Sequence, residues 1–189
     1  MRIRDFIVKL TKLKMDFMTR AQSLIHGDLH TGSIFINEES TKVFDPEFCF
    51  YGPMGYDIGN VIANMIFAWA NGDAAGAADF CKWVEDVLVD VINMTKKNGK
   101  YYDEHVTDTM CRNELYKKYY MDTIIEDTSA VAGLELIRRI VGMANVKDIT
   151  TIADEAKRAR AEKICITAAI DFIKNRSDKK CGKCFLKTL

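Results

Sequence analysis

The sequence predicts a mainly helical domain of the α+β class with one small β-hairpin. Apolar residues recur at helical spacing along most of the chain. Two short β-favouring runs, residues 33–36 and 42–45, flank a polar turn segment at residues 37–41. A chain of 189 residues with 48% hydrophobic residues can bury one substantial core, and its two prolines and eleven glycines form no linker.

Helical periodicity and end signals place the predicted helices. The first helix has apolar positions at helical spacing, with lysines and arginines on its other side. Asn-Gly pairs end the second and third helices, and Asp103 and Thr151 are candidate caps of later ones. The expected helical ranges are 3–17, 57–70, 74–97, 103–127, 130–145 and 151–174. We expect residues 179–189 to form an irregular basic tail.

Three acidic residues, Asp28, Asp45 and Glu47, stand at the ends of short apolar segments that a hairpin would bring together. A hard cation such as Mg²⁺ takes oxygen ligands, commonly one or two carboxylates together with substrate phosphates. A carboxylate in the same place can accept the proton of an attacking hydroxyl. The pattern therefore predicts a phosphoryl-transfer site, although any one of these acids taken alone is more commonly a solvated turn residue.

The hairpin geometry follows from the pairing of its strands. If Ile36 pairs with Lys42, antiparallel pairing places Ser33 opposite Asp45, with Cβ atoms about 5 Å apart. Pro46 favours an extended conformation for Asp45. In an extended chain, Asp45 and the residue two positions later point the same way, so both carboxylates would face one pocket.

Two further residues are expected to support this site. Asp57 precedes a long apolar helix, so it is either the amino-terminal cap of that helix or a brace for the loop that carries Asp28. His26 is expected to fix the same loop by hydrogen bonds.

The segment from Leu24 to Gly59 resembles a known family. The similarity is to the 5-methylthioribose kinase branch of the aminoglycoside/choline kinase group, which is related to the protein kinases. It rests on three motifs: His-Gly-Asp-Leu-His-Thr-Gly-Ser, then Asp-Pro-Glu-Phe, then Tyr-Gly-Pro-Met-Gly-Tyr-Asp-Ile-Gly. Ser33, where most kinases of the group carry Asn, and the Asp-Pro-Glu motif point to the thioribose branch. The resemblance covers about residues 21–144.

The resemblance implies an ATP-dependent sugar kinase that transfers the γ-phosphate to the 1-hydroxyl of 5-methylthioribose in methionine salvage. Asp28 would be the base that orients the sugar hydroxyl. Asp45, Pro46 and Glu47 would contact the ATP phosphates. Asp45, Glu47 and Ser33 would hold Mg²⁺.

Two adjacent arginines, Arg138 and Arg139, lie in the predicted helix 130–145. Arg139 can pair with Glu135 one turn earlier, which contributes about 0.2–0.5 kcal/mol. Arg138 lies at the edge of the apolar stripe, where a partly buried guanidinium needs an anion or several acceptors. The resemblance implies that both arginines bind the sugar and the transferring phosphate, and Arg138 is the stronger candidate.

Kinases of this type also have a small amino-terminal lobe with a nucleotide-covering loop and a phosphate-binding lysine. The sequence has no Gly-x-Gly-x-x-Gly, and the Gly-x4-Gly segment at 27–32 is followed by Ser33 in place of the P-loop lysine. We therefore expect the carboxy-terminal lobe alone, residues 1–178, with a catalytic loop at 24–36, a metal loop at 42–50 and the amino-terminal lobe absent. The chain would then be the product of a truncated gene model, a fragment, or a protein whose other half is a partner chain or a homodimer. Alone, it is expected to transfer phosphate poorly or not at all.

Two other functions compete with this one. A catalytically inactive half-kinase would bind a small ligand or a partner chain through an exposed apolar face. Asp28-Leu-His30 also matches the first metal motif of metallophosphoesterases, but the Gly-Asn-His segment that this class needs is missing.

Charge, hydropathy and cysteine content indicate which partners and which compartment to expect for this chain. The 27 acidic and 27 basic residues give a net charge of zero, which predicts no nucleic-acid partner. The longest apolar stretch, residues 61–70, is too short to span a bilayer, and charges run through the first twenty residues instead of a secretory leader. With six cysteines we expect free thiols in the reducing cytoplasm. Cys181 and Cys184 have the spacing of half a zinc site or a redox pair, or belong to the irregular tail.

Overall fold

The computed structural model describes residues 3–189 and confirms the mainly helical α+β class. The helices are α1 (Ile3–Thr19), α2 (Gly55–Ala75), α3 (Ala78–Lys97), α4 (Gly99–His105), α5 (Glu114–Val141), α6 (Lys147–Thr150), α7 (Glu155–Lys174) and α8 (Gly182–Phe185). The strands are β1 (Ser23–Ile25), β2 (Ile34–Ile36), β3 (Thr41–Val43) and β4 (Phe50–Gly52). No helix within residues 3–189 has the length and apolar character needed to cross a membrane.

The core lies between α2, α5 and α7, with α3 packed on the outer side of α2. Phe67 of α2, Leu136 of α5 and Phe172 of α7 are fully buried in it. Helices α2 and α5 approach closely at Gly59, where a Cβ atom would lie 2.7 Å from the backbone oxygen of Thr128. This contact fixes the start of α2 against α5, and both ends of the candidate site depend on those two helices.

Helix α5 is one continuous helix, so the predicted break between helices 103–127 and 130–145 is wrong. The polar residues at the expected break are buried and satisfied within the packed structure. The hydroxyl of Ser129 donates to the backbone oxygen of Phe172, and Asp127 pairs with Arg20 at 2.7 Å. Because these polar groups have partners, the helix has no reason to end at them.

Helix ends also differ from the prediction where a different residue caps them. Asn113, whose side chain accepts from the backbone of Tyr116, caps α5 in place of Asp103. Asp154 caps α7, so α7 begins later than the predicted Thr151. Helix α2 passes the expected end at Asn71 and stops only at Gly76, which has a φ of 75°.

The strands form two separate antiparallel pairs, β2 with β3 and β1 with β4. In the first pair, Ile36 lies opposite Thr41, so the predicted pairing of Ile36 with Lys42 is wrong by one residue. The side chain of Asn37 causes the shift, because it accepts hydrogen bonds from the loop backbone and closes a tight turn. Ser33 therefore lies beside Phe44, whose backbone N–H donates to the Ser33 oxygen at 3.1 Å.

The sequence analysis missed the second pair, in which Leu24 lies opposite Tyr51. Residues 179–189, expected as an irregular tail, instead pack on the helices. Phe185 is fully buried, and its ring centroid lies 5.1 Å from that of Phe172. A buried phenylalanine holds this segment in place, which its basic composition does not indicate.

We predict that Gly59→Ala destabilises the fold by about 1–3 kcal/mol, because the added methyl group meets backbone that has little room to move. The measurement is the free energy of unfolding in urea.

Gly72→Ala on the same helix is the matched control. Its methyl group meets side chains only, the exposed ring of Phe80 at 2.7 Å and the Cys81 thiol at 3.1 Å, which can shift more easily than backbone, so the loss should be smaller than that of Gly59→Ala. Equal losses in both variants would contradict a specific contact between α2 and α5.

Candidate active site

The first turn of α2 holds the loop that carries Asp28. The Asp57 carboxylate accepts the backbone N–H of His26 at 2.6 Å and that of Gly27 at 3.0 Å. Asp57 lies inside the helix, since Met54 occupies the amino-terminal cap position. It therefore makes the contacts of a brace, which was one of the two roles expected for it. Hydrogen bonds to a charged acceptor contribute about 1.5–3 kcal/mol each, so this loop is firmly fixed.

Loops 24–36 and 42–50 also hold each other. Gly27 has a φ of 85°, and a Cβ atom there would lie 2.2 Å from the backbone oxygen of Phe48. Only glycine fits this position. The His26 ring spans the same gap, with Nε2 2.9 Å from the Phe44 oxygen and Nδ1 3.4 Å from the Asp28 nitrogen. Because a carbonyl only accepts and an amide N–H only donates, the imidazole carries its proton on Nε2.

Asp28 is half-buried at the end of this braced loop. Within residues 3–189 its carboxylate forms no salt bridge, so it is available to a ligand. It lies within electrostatic reach of Tyr56 and Arg138. Burial is the main cause of the raised pKa of Tyr56, and the Asp28 charge adds to it. The hydrogen bond to Glu135 is the main cause of the raised pKa of Arg138, and Asp28 again contributes.

The segment from Asp45 to Glu47 is exposed and turns away from an extended path. Asp45 has a φ of 67°, so the expectation that Pro46 keeps it extended is wrong. The chain then forms a tight turn, in which the Cys49 N–H donates to the Pro46 oxygen at 3.1 Å. Asp is among the residues that tolerate positive φ, and such conformations are concentrated at functional sites. The carboxylates of Asp45 and Glu47 were expected to point the same way because the backbone would be extended. This segment is not extended, so its backbone does not impose that orientation.

No group of three His, Cys, Asp or Glu side chains within residues 3–189 is placed to hold a metal ion. The expected gathering of Asp28, Asp45 and Glu47 around one metal ion does not appear as such a group among the described residues. Ser33, expected as a metal ligand, is buried with its hydroxyl 3.2 Å from Nε2 of His30. Asp45 and Glu47 remain two exposed oxygen donors, which suits Mg²⁺ because phosphates commonly complete its coordination.

The two arginines share one carboxylate and face different cavities. Arg138 binds Glu135 through Nε and Nη2 at 2.6 and 2.9 Å, and Arg139 binds it through Nε at 2.7 Å. The pairing of Arg139 was expected, whereas that of Arg138 was not. Burial alone would raise the pKa of Glu135, but the hydrogen bonds from both arginines outweigh it and the pKa lies below its ordinary value. Arg139 lines a cavity beside α6 and α7, away from the one that Arg138 lines.

A cavity of about 370 Å³ lies between α1, α2 and α5. Arg138, Tyr56 and Asn60 provide polar groups along it, and Leu13 and Phe17 of α1 are among its apolar lining residues. Tyr56 and Arg138, whose pKa values the Asp28 charge helps to raise, both line this cavity. A pocket with an apolar wall and a few polar groups is the usual form of a small-molecule site.

Three polar residues of this region were not predicted from the sequence as parts of a site: Tyr56, Asn60 and Glu135. Glu135 had a visible signal, because arginines stand both three and four residues after it on a helix. The only sequence signal for Tyr56 is its position between Gly55 and Asp57, and its place in the cavity depends on the packing of α1 against α2.

Comparison with known proteins finds similar sequences. Residues 3–88 match the model of a family described as "Phosphotransferase enzyme family". Methylthioribose kinase 1 of Oryza sativa subsp. japonica is 38% identical over 186 residues, which cover 89% of this chain and 43% of the rice protein. The chain is similar in sequence to this kinase. Methylthioribose kinase 2 of the same plant is 37% identical, covering 89% of this chain and 44% of that protein. Methylthioribose kinase of Escherichia coli O45:K1 is 35% identical, covering 90% and 45%.

The chain thus spans somewhat less than half the length of these relatives. The family match at residues 3–88 includes the braced loop, the turn at Asp45 and helix α2. The similarity to the named kinases extends further, over most of the chain, and so takes in the helix with both arginines.

We predict that Asp57→Ala lowers the free energy of unfolding by about 3 kcal/mol, the lower end for two hydrogen bonds to a charged acceptor, because water can reach this half-buried loop. Amide hydrogen exchange should speed up at His26 and Gly27. Asp28→Asn, on the same loop, leaves Asp57 in place and should keep both amides protected. Unchanged protection in Asp57→Ala would show that the brace is not what fixes the loop.

The lowered pKa of Glu135 predicts a pH-dependent contribution to stability. The contribution is present above the ordinary glutamate pKa of about 4.3 and is lost as the pH falls through the lower folded-state value. The difference in free energy of unfolding between the native chain and Glu135→Gln should be constant above that pH and shrink below it.

The control for this pH dependence is Glu39→Gln, at an exposed loop glutamate. The difference in free energy of unfolding between this variant and the native chain should stay small at every pH. A difference for Glu135→Gln that does not change on acidification would contradict the arginine pairing.

Proposed function

We propose that this chain forms the acceptor-binding part of an ATP-dependent sugar kinase. The observation that carries the proposal is the unpaired carboxylate of Asp28, fixed by Asp57 and held within electrostatic reach of Arg138. A base on a rigid loop beside a cation is the arrangement that phosphoryl transfer to a hydroxyl needs. The similarity to named methylthioribose kinases supports the same function.

In this proposal Asp28 accepts a hydrogen bond from the acceptor hydroxyl and takes its proton as the new oxygen–phosphorus bond forms. The bond between the γ-phosphorus and the bridging oxygen of ATP breaks in the same step, and ADP leaves. The His26 ring and the Asp57 brace keep the carboxylate in one position, which lowers the entropic cost of reaching the reactive geometry. Arg138 neutralises charge on the transferring phosphoryl group, while Glu135 holds its guanidinium. Arg139 then acts through Glu135 and not on the phosphate.

Asp45 and Glu47 would present carboxylates to a divalent metal, in our proposal Mg²⁺, beside the ATP phosphates. Held by these two carboxylates, the metal would supply positive charge that offsets the charge of the phosphates. Pro46 fixes its own φ between the two acids and so shapes the turn that displays them. Ser33 keeps its hydrogen bond to His30, so its contribution to the metal would be to position the loop.

We propose 5-methylthioribose as the acceptor and the cavity beside Arg138 as its binding site. The polar groups of Arg138, Tyr56 and Asn60 suit the sugar hydroxyls, and the apolar lining residues Leu13 and Phe17 suit a methylthio group. Its volume of about 370 Å³ is within the range of small-molecule pockets. We propose that this reaction is a step of methionine salvage and takes place in the cytoplasm.

The nucleotide-covering part is proposed to pack on the two strand pairs. Several large apolar side chains on these short strands and their loops are exposed: Leu24, Phe35, Ile36, Val43, Phe44, Phe48 and Tyr51. Apolar surface of this kind marks a protein-binding face. A further segment of the same protein, or a partner chain such as a second copy, would cover it.

The same exposed face supports a second candidate function. A chain that binds a ligand or a partner through this surface, without transferring phosphate, would show the same apolar residues. The two candidates differ in one respect, which is whether phosphate reaches the sugar once the nucleotide-covering part is present.

The test joins the part of rice methylthioribose kinase 1 that lies outside the matched region to this chain. We predict ATP- and Mg²⁺-dependent phosphorylation of 5-methylthioribose, measured by phosphorus NMR. Asp28→Asn should lower kcat by about 10²–10⁴-fold with little change in KM, because the base is lost while binding groups remain.

Asp79→Asn, an exposed aspartate at the start of α3, is the control and should retain full kcat. Folding of each variant is checked by circular dichroism. Turnover by Asp28→Asn at the native rate would exclude Asp28 as the base. A folded, sugar-binding but inactive fusion would favour the non-catalytic function.

A further inference from the structure

The Cys181-Gly-Lys-Cys184 motif takes no part in the proposed kinase function, and the structure places its two thiols together. The Sγ atoms are 2.7 Å apart. Cys181 is exposed and Cys184 is half-buried, so both can meet a small solute. Neither sulfur is in a disulfide.

The backbone around the pair is anchored at several points, so the thiols do not meet by chance in a loose tail. The Lys179 ammonium donates to the Cys184 backbone oxygen at 2.9 Å and also pairs with Asp171 of α7. The Gly182 N–H donates to the Asn93 side chain of α3 at 3.3 Å. Together with buried Phe185, these contacts hold the motif on α3 and α7.

The surroundings of Cys184 favour its thiolate. A hydrogen bond from Cys181 is the main cause of its lowered pKa, partly opposed by burial and assisted by the charge of Lys187. By contrast, burial raises the pKa of Cys165 to about 12. A thiolate, and not a thiol, is the nucleophile in disulfide exchange.

A structural zinc site does not fit the pair. Structural zinc takes four ligands, usually cysteine and histidine. No third His, Cys, Asp or Glu within residues 3–189 joins these two sulfurs in a group that could hold a metal. Two facing thiols on an anchored backbone are instead the elements of a dithiol couple.

We propose that Cys181 and Cys184 form a reversible dithiol–disulfide site that exchanges with low-molecular-weight disulfides such as oxidised glutathione. The Cys184 thiolate attacks one sulfur of oxidised glutathione, which forms a mixed disulfide and releases one glutathione thiolate. Cys181 loses its proton to solvent and attacks Sγ of Cys184, which releases the second glutathione. The protein dithiol is oxidised by two electrons, and oxidised glutathione is reduced to two thiols.

Closing the bond needs little rearrangement. A disulfide has sulfur atoms about 2.05 Å apart, so the observed Sγ atoms have only a short distance to move. The anchored backbone contacts can remain in place as the bond forms. We therefore expect oxidation to leave the buried Phe185 where it is.

The test uses the 189-residue chain treated with excess oxidised glutathione, blocked with iodoacetamide and digested with trypsin without reduction. Trypsin cuts after Lys183, between the two cysteines. We expect residues 181–183 and 184–187 to remain linked in one species by mass spectrometry. They should separate when the chain is first returned to excess reduced glutathione.

Cys181→Ser removes the resolving thiol and should accumulate a glutathione adduct on Cys184. Cys49, a single exposed cysteine, is the internal control and should carry a persistent adduct in the native chain. The proposal is overturned if peptides 181–183 and 184–187 separate without reduction, either as free thiols or with stable adducts. It is equally overturned if the purified chain carries a zinc ion that protects both cysteines until a chelator is added.

Discussion

The hydrogen bonds from the backbone of His26 and Gly27 to the Asp57 carboxylate are the constraint on which the site depends. They tie a loop that has little regular structure to the first turn of a core helix. With that loop fixed, the His26 ring reaches the Phe44 carbonyl and Gly27 packs on the backbone of Phe48. One buried helix thereby sets the positions of both loops, and Asp28 is presented on a rigid support.

A second feature of the site is the pairing of Glu135 with both arginines on α5. Glu135 is buried beneath two guanidinium groups, and its charge is stabilised by both. It holds Arg138, which lines the cavity between α1, α2 and α5, while Arg139 lines another cavity beside α6 and α7. A charged side chain whose position is fixed before a ligand arrives costs less to organise when the ligand binds. In our proposal the Asp28 carboxylate and the Arg138 guanidinium are complementary parts of one site, positioned by α2 and α5.

Local sequence signals predicted most of the long helices and the loop that carries Asp28, because these depend on neighbours along the chain. The register of the β2–β3 pair was not predictable from strand propensity, since the Asn37 side chain decides the length of the turn. The positive φ of Asp45 overrides the preference that Pro46 imposes. The continuity of α5 depends on partners for buried Asp127 and Ser129 that lie far away in sequence. Each error arose where a side chain or a distant contact outweighed a backbone preference.

The central claim is that Asp28 and Arg138 line one acceptor site. It is tested most directly by titrating 5-methylthioribose into the ¹⁵N-labelled chain and following the backbone amides of His26 and Gly27 and the side-chain Nε–H of Arg138. The account predicts that these signals shift together along one saturation curve. Saturable shifts confined to other parts of the chain, with these three groups unchanged, would contradict it.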